Sequence, residues 1–152
     1  MKKLALTDFA KYRYPSALEL SPDGRYLTFA LKDVDREGDG YRWNLWLYDL
    51  ERRESRQITR GDDQRKAVWE DNTHILYKTT EPDEALRARG FEEEWTVYHR
   101  LNVCTGEDRE AFRLPMSVSG LWKMDEGRYV FTGETHLDRP NLLELTGEAL
   151  EK

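Results

Sequence analysis

Cysteine, histidine and long apolar runs are what this 152-residue chain has least of, and each scarcity removes a class of function. Cys104 stands alone, so there is no internal disulfide and no multi-cysteine metal site. The three histidines, His74, His99 and His136, share no metal-ligand spacing with Asp71 or Asp125, so no metal is expected. No stretch approaches the roughly 20 apolar residues of a membrane span. Met1-Lys2-Lys3-Leu4-Ala5-Leu6-Thr7-Asp8 lacks the apolar segment of a signal peptide. Clustered basic charge is missing too. The formal net charge is -6, and Lys and Arg are interleaved with acids, as in Glu51-Arg52-Arg53-Glu54. That pattern reads as solvated turn and argues against binding a nucleic-acid backbone. The expectation is a cytoplasmic protein with no cofactor, contacting neither nucleic acid nor membrane.

What the chain does have is aromatic residues: five Trp, eight Tyr and five Phe. Disordered chains are poor in these, so a folded core beneath a heavily charged surface is expected. A strand-and-turn unit also recurs at intervals of roughly fifty residues. It appears as Ser21-Pro22-Asp23-Gly24-Arg25-Tyr26-Leu27-Thr28-Phe29, then as Trp69-Glu70-Asp71-Asn72-Thr73-His74-Ile75-Leu76-Tyr77. The third copy is Met124-Asp125-Glu126-Gly127-Arg128-Tyr129-Val130-Phe131. Short strands at this period are the mark of β-propeller blades.

The spacing predicts an all-β partial propeller of about two and a half to three four-stranded blades. Residues 1–15 form an N-terminal segment, and 16–152 an incomplete propeller with blades at about 16–60, 65–115 and 117–152. The first blade has strands over 17–20, 26–31, 44–50 and 55–59, of which 26–31 and 44–50 alternate. Leu27, Phe29 and Leu31 share one face, and Leu45 and Leu47 oppose Trp46 and Tyr48. The second blade has strands over 66–69, 74–79, 95–103 and 109–114, with Cys104-Thr105-Gly106-Glu107 as a hairpin turn. The third offers 118–124, 128–133 and a weaker 141–145, with no fourth strand. Two helices are expected: a short one around Thr7 to Tyr12, stopped by Pro15, and an insertion over 84–89 ending at Gly90. Leu6, Phe9 and Tyr12 would form a face on the first that needs covering. A propeller that stops within its third blade leaves open edges. The natural chain continuing past Lys152, association of two copies, or residues 1–15 folding back would each cover one.

The stretch from Tyr14 to Tyr26, Tyr-Pro-Ser-Ala-Leu-Glu-Leu-Ser-Pro-Asp-Gly-Arg-Tyr, resembles the opening of the propeller in the prolyl oligopeptidase family of serine peptidases. The likeness is to its acylaminoacyl-peptidase and dipeptidyl-peptidase-like branch. Asn44-Leu45-Trp46-Leu47-Tyr48-Asp49-Leu50 followed by Arg56-Gln57-Ile58-Thr59 resembles the second half of a family blade. The similarity runs over about the whole chain, through motifs that other propellers share. It implies a non-catalytic propeller that gates or positions peptide substrate for a C-terminal α/β-hydrolase domain of the same parent chain, a domain that would lie beyond Lys152. The family's Gly-x-Ser-x-Gly nucleophile elbow does not occur here, so no catalytic residue carries over. The alternative is a free-standing β-repeat interaction module forming a homo-oligomer through open blade edges.

Each remaining candidate residue also has an ordinary structural role. Ser119, His136 and Asp138 make a triad only on paper, since a histidine two positions from its acid needs a special turn. Cys104 reads as incidental, with nothing nearby to activate it. Glu92-Glu93-Glu94 resembles in residue type the acidic grip on a substrate's amino terminus in the dipeptidyl branch, but reads first as a solvated insertion. Trp46, Trp69 and Trp122 are expected to pack between blades.

Overall fold

The structure is a computed structural model and describes residues 8–35, 38–82, 84–88, 94–125 and 127–134. These form ten strands in three antiparallel sheets. Sheet one holds β1 (Tyr14–Leu20), β2 (Tyr26–Asp35), β3 (Gly40–Asp49) and β4 (Glu54–Gln57) in chain order. Sheet two repeats that meander with β5 (Ala67–Trp69), β6 (His74–Pro82), β7 (Glu94–Asn102) and β8 (Asp108–Leu114). Sheet three is the pair β9 (Ser117–Lys123) and β10 (Tyr129–Glu134).

The turns repeat because their chemistry is local. In the first, Gly24 takes φ 73° and the Asp23 carboxylate accepts the Arg25 N–H at 3.1 Å. In the second sheet Asp71 does the same for Thr73 and His74, at 2.7 and 2.8 Å. The β3–β4 and β7–β8 turns share a different device. Asp49 Oδ1 accepts the N–H groups of Glu51 and Arg52, and Asn102 Oδ1 accepts those of Cys104 and Thr105. Each turn then closes through a left-handed residue, Arg53 (φ 58°) in one and Gly106 (φ 80°) in the other. Glycine adopts that backbone freely and arginine does not. Arg53→Gly should therefore stabilise the protein, by up to about 1 kcal/mol. A raised urea midpoint at unchanged slope checks it.

The sheets stack face to face in chain order. Tyr26, Thr28 and Ala30 of β2 and Leu45 and Leu47 of β3 are buried on the side of sheet one that meets sheet two. Ala67, Trp69, Ile75, Tyr77 and Leu101 meet them from sheet two. The opposite face of sheet two, with Leu76 and Tyr98, packs on Val118 and Leu121 of sheet three. Sheet two is thus covered on both faces, which explains the uninterrupted apolar run Ile75-Leu76-Tyr77. The strands that open the sheets lie beside one another, β1 against β5 and β5 against β9.

Two expectations need correcting. The helix around Thr7–Tyr12 is only a 3-10 turn, Asp8–Lys11, and Pro15 lies inside β1, paired with Leu31 on an edge strand. The helical insertion is one α-turn, Glu84–Arg87, closed by Ala88 N–H to Glu84 C=O at 3.0 Å. So short a segment cannot repay the cost of helix nucleation. No sheet closes on itself, and no closed propeller is present among the described residues. Leu27, Phe29 and Leu31 do share a face, but it is the one turned away from sheet two. Residue 141–145, expected as a strand, lies outside the described residues.

Candidate functional site

Two clefts open at the end of the stack that carries the tight turns. The first, about 390 Å³, lies between sheets one and two and is lined by Arg25, Tyr26, Asp49, Arg52, Arg56 and Cys104. Its charges are largely engaged: Arg25 pairs with Glu51 at 3.5 Å, and Arg56 donates to the Val103 carbonyl. The exposed Cys104 thiol faces the Tyr26 hydroxyl at 3.9 Å. Burial, with that thiol beside it, pushes the Tyr26 hydroxyl up from its ordinary pKa. Among the described residues lining this cleft there is no histidine beside the thiol.

The second cleft, about 360 Å³, lies between sheets two and three. At its centre Glu70 joins three strands. Its carboxylate accepts from Arg100 of β7, with Nη2 at 2.7 Å, and from the Tyr129 hydroxyl of β10. Its backbone carbonyl accepts from Lys123 of β9. Burial pushes the Glu70 carboxyl up, but the Arg100 and Tyr129 hydrogen bonds outweigh it and hold the group below its ordinary value. Burial and the same contact push the Tyr129 hydroxyl up to about 12. The sequence gives no sign of this node, because Arg100 and Tyr129 are 30 and 59 residues from Glu70.

His74 is held beside this cleft. Its Nδ1 lies 2.9 Å from Asp71 Oδ2 and its Nε2 3.2 Å from Asn102 Nδ2. With Nδ1–H donated to the Asp71 carboxylate and Nε2 accepting from the Asn102 amide, both ring nitrogens have protein partners. Burial pushes the Asp71 carboxyl up, yet the Thr73 and His74 backbone and side-chain hydrogen bonds bring it down to about 2. A carboxyl lowered on folding stabilises the protein above its unfolded pKa, and that contribution is lost as pH falls through the folded value. The pH window is therefore about 4 down to about 2. Asp71→Asn should flatten the stability–pH curve there, read by urea unfolding at each pH. His99 is stacked on Tyr77 (centroids 5.2 Å apart), with its Nδ1 3.5 Å from Asp108, which also accepts the Tyr77 hydroxyl at 2.5 Å.

The other residues singled out by sequence do not converge. Ser119 is exposed on β9 and its Oγ lies 3.0 Å from Thr132 Oγ1, while His136 and Asp138 fall outside the described residues. Glu92 and Glu93 fall outside as well, and Glu94 opens β7. Leu6 and the Phe9 side chain are likewise outside, and Tyr12 is exposed. Asp125 pairs with Arg128. Among the described residues no group of three or more His, Cys, Asp or Glu could hold a metal ion. No helix among them is long and apolar enough to cross a membrane. Trp69 is buried between sheets one and two, as expected of a packing residue. Trp46 is half-buried, stacked on Phe29, on the outer face of sheet one. Trp122 departs from expectation: it is 48% exposed, because it lies on the face of sheet three that no described sheet covers.

The fold and its clefts define a stack of repeated antiparallel β-meanders with engaged charges at the turn end. No family model matches the chain, and no curated protein matches it. Among solved structures, Pyrococcus horikoshii acylaminoacyl peptidase is similar, with a TM-score of 0.49 and 15% identity. The match covers 89% of this chain and 30% of that one, so the chain spans less than a third of that protein's length.

Proposed function

We propose that the chain is a non-catalytic propeller segment of a serine peptidase, its sheets serving as blades. In this reading it gates or positions peptide substrate for an α/β-hydrolase domain of the same parent polypeptide, in the cytoplasm. The observation that carries the blade assignment is the ordered stack itself: two four-stranded meanders and a third sheet, packed face to face with their opening strands side by side. The non-catalytic part is supported by His74 and His99, whose ring nitrogens or faces are engaged by Asp71, Asn102, Asp108 and Tyr77. The peptidase part rests on the resemblance of the Tyr14–Tyr26 and Asn44–Thr59 segments.

The test is to isolate the native protein with an antibody to this chain and label it with a serine-directed phosphonate. The expected result is a labelled polypeptide that contains these residues and carries its label outside them. Label within residues 1–152, or an unlabelled 18.0 kDa polypeptide, overturns the proposal.

A second reading, a β-repeat module that self-associates, is favoured by one observation. Apolar side chains lie on the outer faces of the two terminal sheets, Leu20 on one and Trp122 and Val130 on the other.

A further inference from the structure

A third, smaller cavity, about 170 Å³, lies between sheets two and three. Among the described residues it shares no lining side chain with either turn-end cleft. Its apolar floor comes from Val68 and Leu76 of sheet two and Leu121 of sheet three. Its polar groups are Lys78, Tyr98 and Ser119, with Arg65 and Lys66 as well. No Asp or Glu is among the described residues that line it.

Strand register explains why a lysine and a tyrosine meet here. Leu76 and Lys78 are two residues apart on β6, so both lie on the face that sheet three covers. Lys78 and Tyr98 are direct partners across β6 and β7. Their Cβ atoms therefore stand about 5 Å apart on that face. Stacking on Phe112, with ring centroids 5.0 Å apart, holds the Tyr98 side chain in place.

Both polar ends are short of partners. Tyr98 is 4% exposed, yet its hydroxyl makes no hydrogen bond among the described residues. No side-chain oxygen or nitrogen sealed from solvent lacks a partner among them, so this hydroxyl opens into the cavity. Burial pushes it up to about 12, which keeps it a phenol with a proton to donate. Lys78, half-buried, donates to the Val118 carbonyl at 2.5 Å and pairs with no carboxylate among the described residues. The other groups are engaged. Arg65 lies 2.7 Å from Asp63, Lys66 3.8 Å from Glu19, and Ser119 Oγ 3.0 Å from Thr132 Oγ1. One ammonium without a counter-ion and one unused O–H thus stand side by side above an apolar floor. Buried charge is ordinarily matched by an opposite charge, and a carboxylate can accept from both donors at once.

We propose that this cavity binds a short aliphatic carboxylate. Lys78 Nζ and the Tyr98 hydroxyl hold its oxygens, and Val68, Leu76 and Leu121 enclose its carbon chain. A water takes up about 30 Å³ of liquid, so 170 Å³ suits a group of roughly six non-hydrogen atoms. A dianion such as phosphate would leave the apolar floor uncovered and one charge unmatched. Two sources carry the required chemistry: a free monocarboxylic acid, and the C-terminal residue of a peptide ending in a small apolar side chain. The site goes beyond the peptidase reading and does not depend on it.

Isothermal titration calorimetry of the intact protein with isobutyrate should give saturable one-to-one binding at about millimolar concentration. Isobutyramide, the same shape without the charge, should bind at least about tenfold more weakly. Tyr98→Phe keeps the ring on Phe112 and removes the donor, and should weaken isobutyrate about tenfold. Lys78→Met keeps an unbranched stem and removes the charge, and should weaken it further. Circular dichroism checks that both variants fold; if Lys78→Met does not, Tyr98→Phe decides alone. N-acetylvaline separates the two sources. Tighter binding than isobutyrate supports a peptide's C-terminal residue, and weaker binding supports a free acid. No saturable binding of isobutyrate, equal binding of isobutyramide, or folded variants that bind like the parent overturns the proposal. Tighter binding of inorganic phosphate overturns it too. The phosphonate labelling is untouched by any of these results, so the two proposals fail separately.

Discussion

Replacing Trp69 by alanine is expected to destabilise the protein by about 3–5 kcal/mol, the range for deleting a buried Trp. Trp69 is 8% exposed and sits at the centre of the contact between the first two sheets. Its ring stacks on Tyr26 with centroids 6.5 Å apart and planes 13° from parallel. Its indole N–H donates to the Glu19 carbonyl at 3.1 Å, tying β5 to β1 across the sheet boundary. Truncation therefore removes apolar burial, an aromatic pair and a part-buried hydrogen bond together, and takes one donor from the Glu19 carbonyl, which also accepts from the Thr28 hydroxyl at 3.2 Å. Trp69→Phe separates these contributions, since it keeps a ring against Tyr26 and loses the donor. Its cost should be well under half that of the alanine variant. Urea unfolding measures both, and an alanine variant within 1 kcal/mol of the parent would show that the two sheets do not depend on each other for stability.

How much of this could be read from the chain follows from the range over which each feature is encoded. The turns were legible because Pro22, Asp23, Gly24 and Gly106 act on backbone a few residues away. Most strands were legible too, with ends shifted by a few residues; β2 and β3 run on to Asp35 and back from Gly40, through what reads as a polar loop. Alternation placed Leu27 and Phe29 on one face but could not say which face acquires a neighbour. Small residues, Thr28 and Ala30, turned out to line the packed side, where the bulk comes from Trp69 and Tyr77 of the next sheet. The helices failed for the opposite reason: local propensity in Glu84-Ala85-Leu86-Arg87 was real, but only a single turn forms. The clefts were illegible because each is built from residues of two sheets.

The node at Glu70 is where the second large effect is expected. Glu70→Ala should cost roughly 2–3 kcal/mol, the range for charge-assisted hydrogen bonds. The Glu70 side chain is 10% exposed and that of Arg100 36% exposed, so solvent screens the abandoned guanidinium and the cost stays below that of breaking a fully buried pair. The loss is not confined to one sheet. Glu70 directly follows the last residue of β5, Trp69, and reaches β7 through Arg100 and β10 through Tyr129, so its removal also loosens sheet three from sheet two. Tyr129→Phe removes one of these bonds while keeping the ring against Phe112, and should cost about 1 kcal/mol. In the double variant the two losses should not add, because Tyr129 has lost its acceptor already once Glu70 is gone. Because folding lowers the Glu70 carboxyl, the parent's advantage over Glu70→Ala is full above the group's ordinary pKa and fades as pH falls through the folded one. Additive losses, or an advantage that grows in acid, would mean that the carboxylate is not what joins the second sheet to the third.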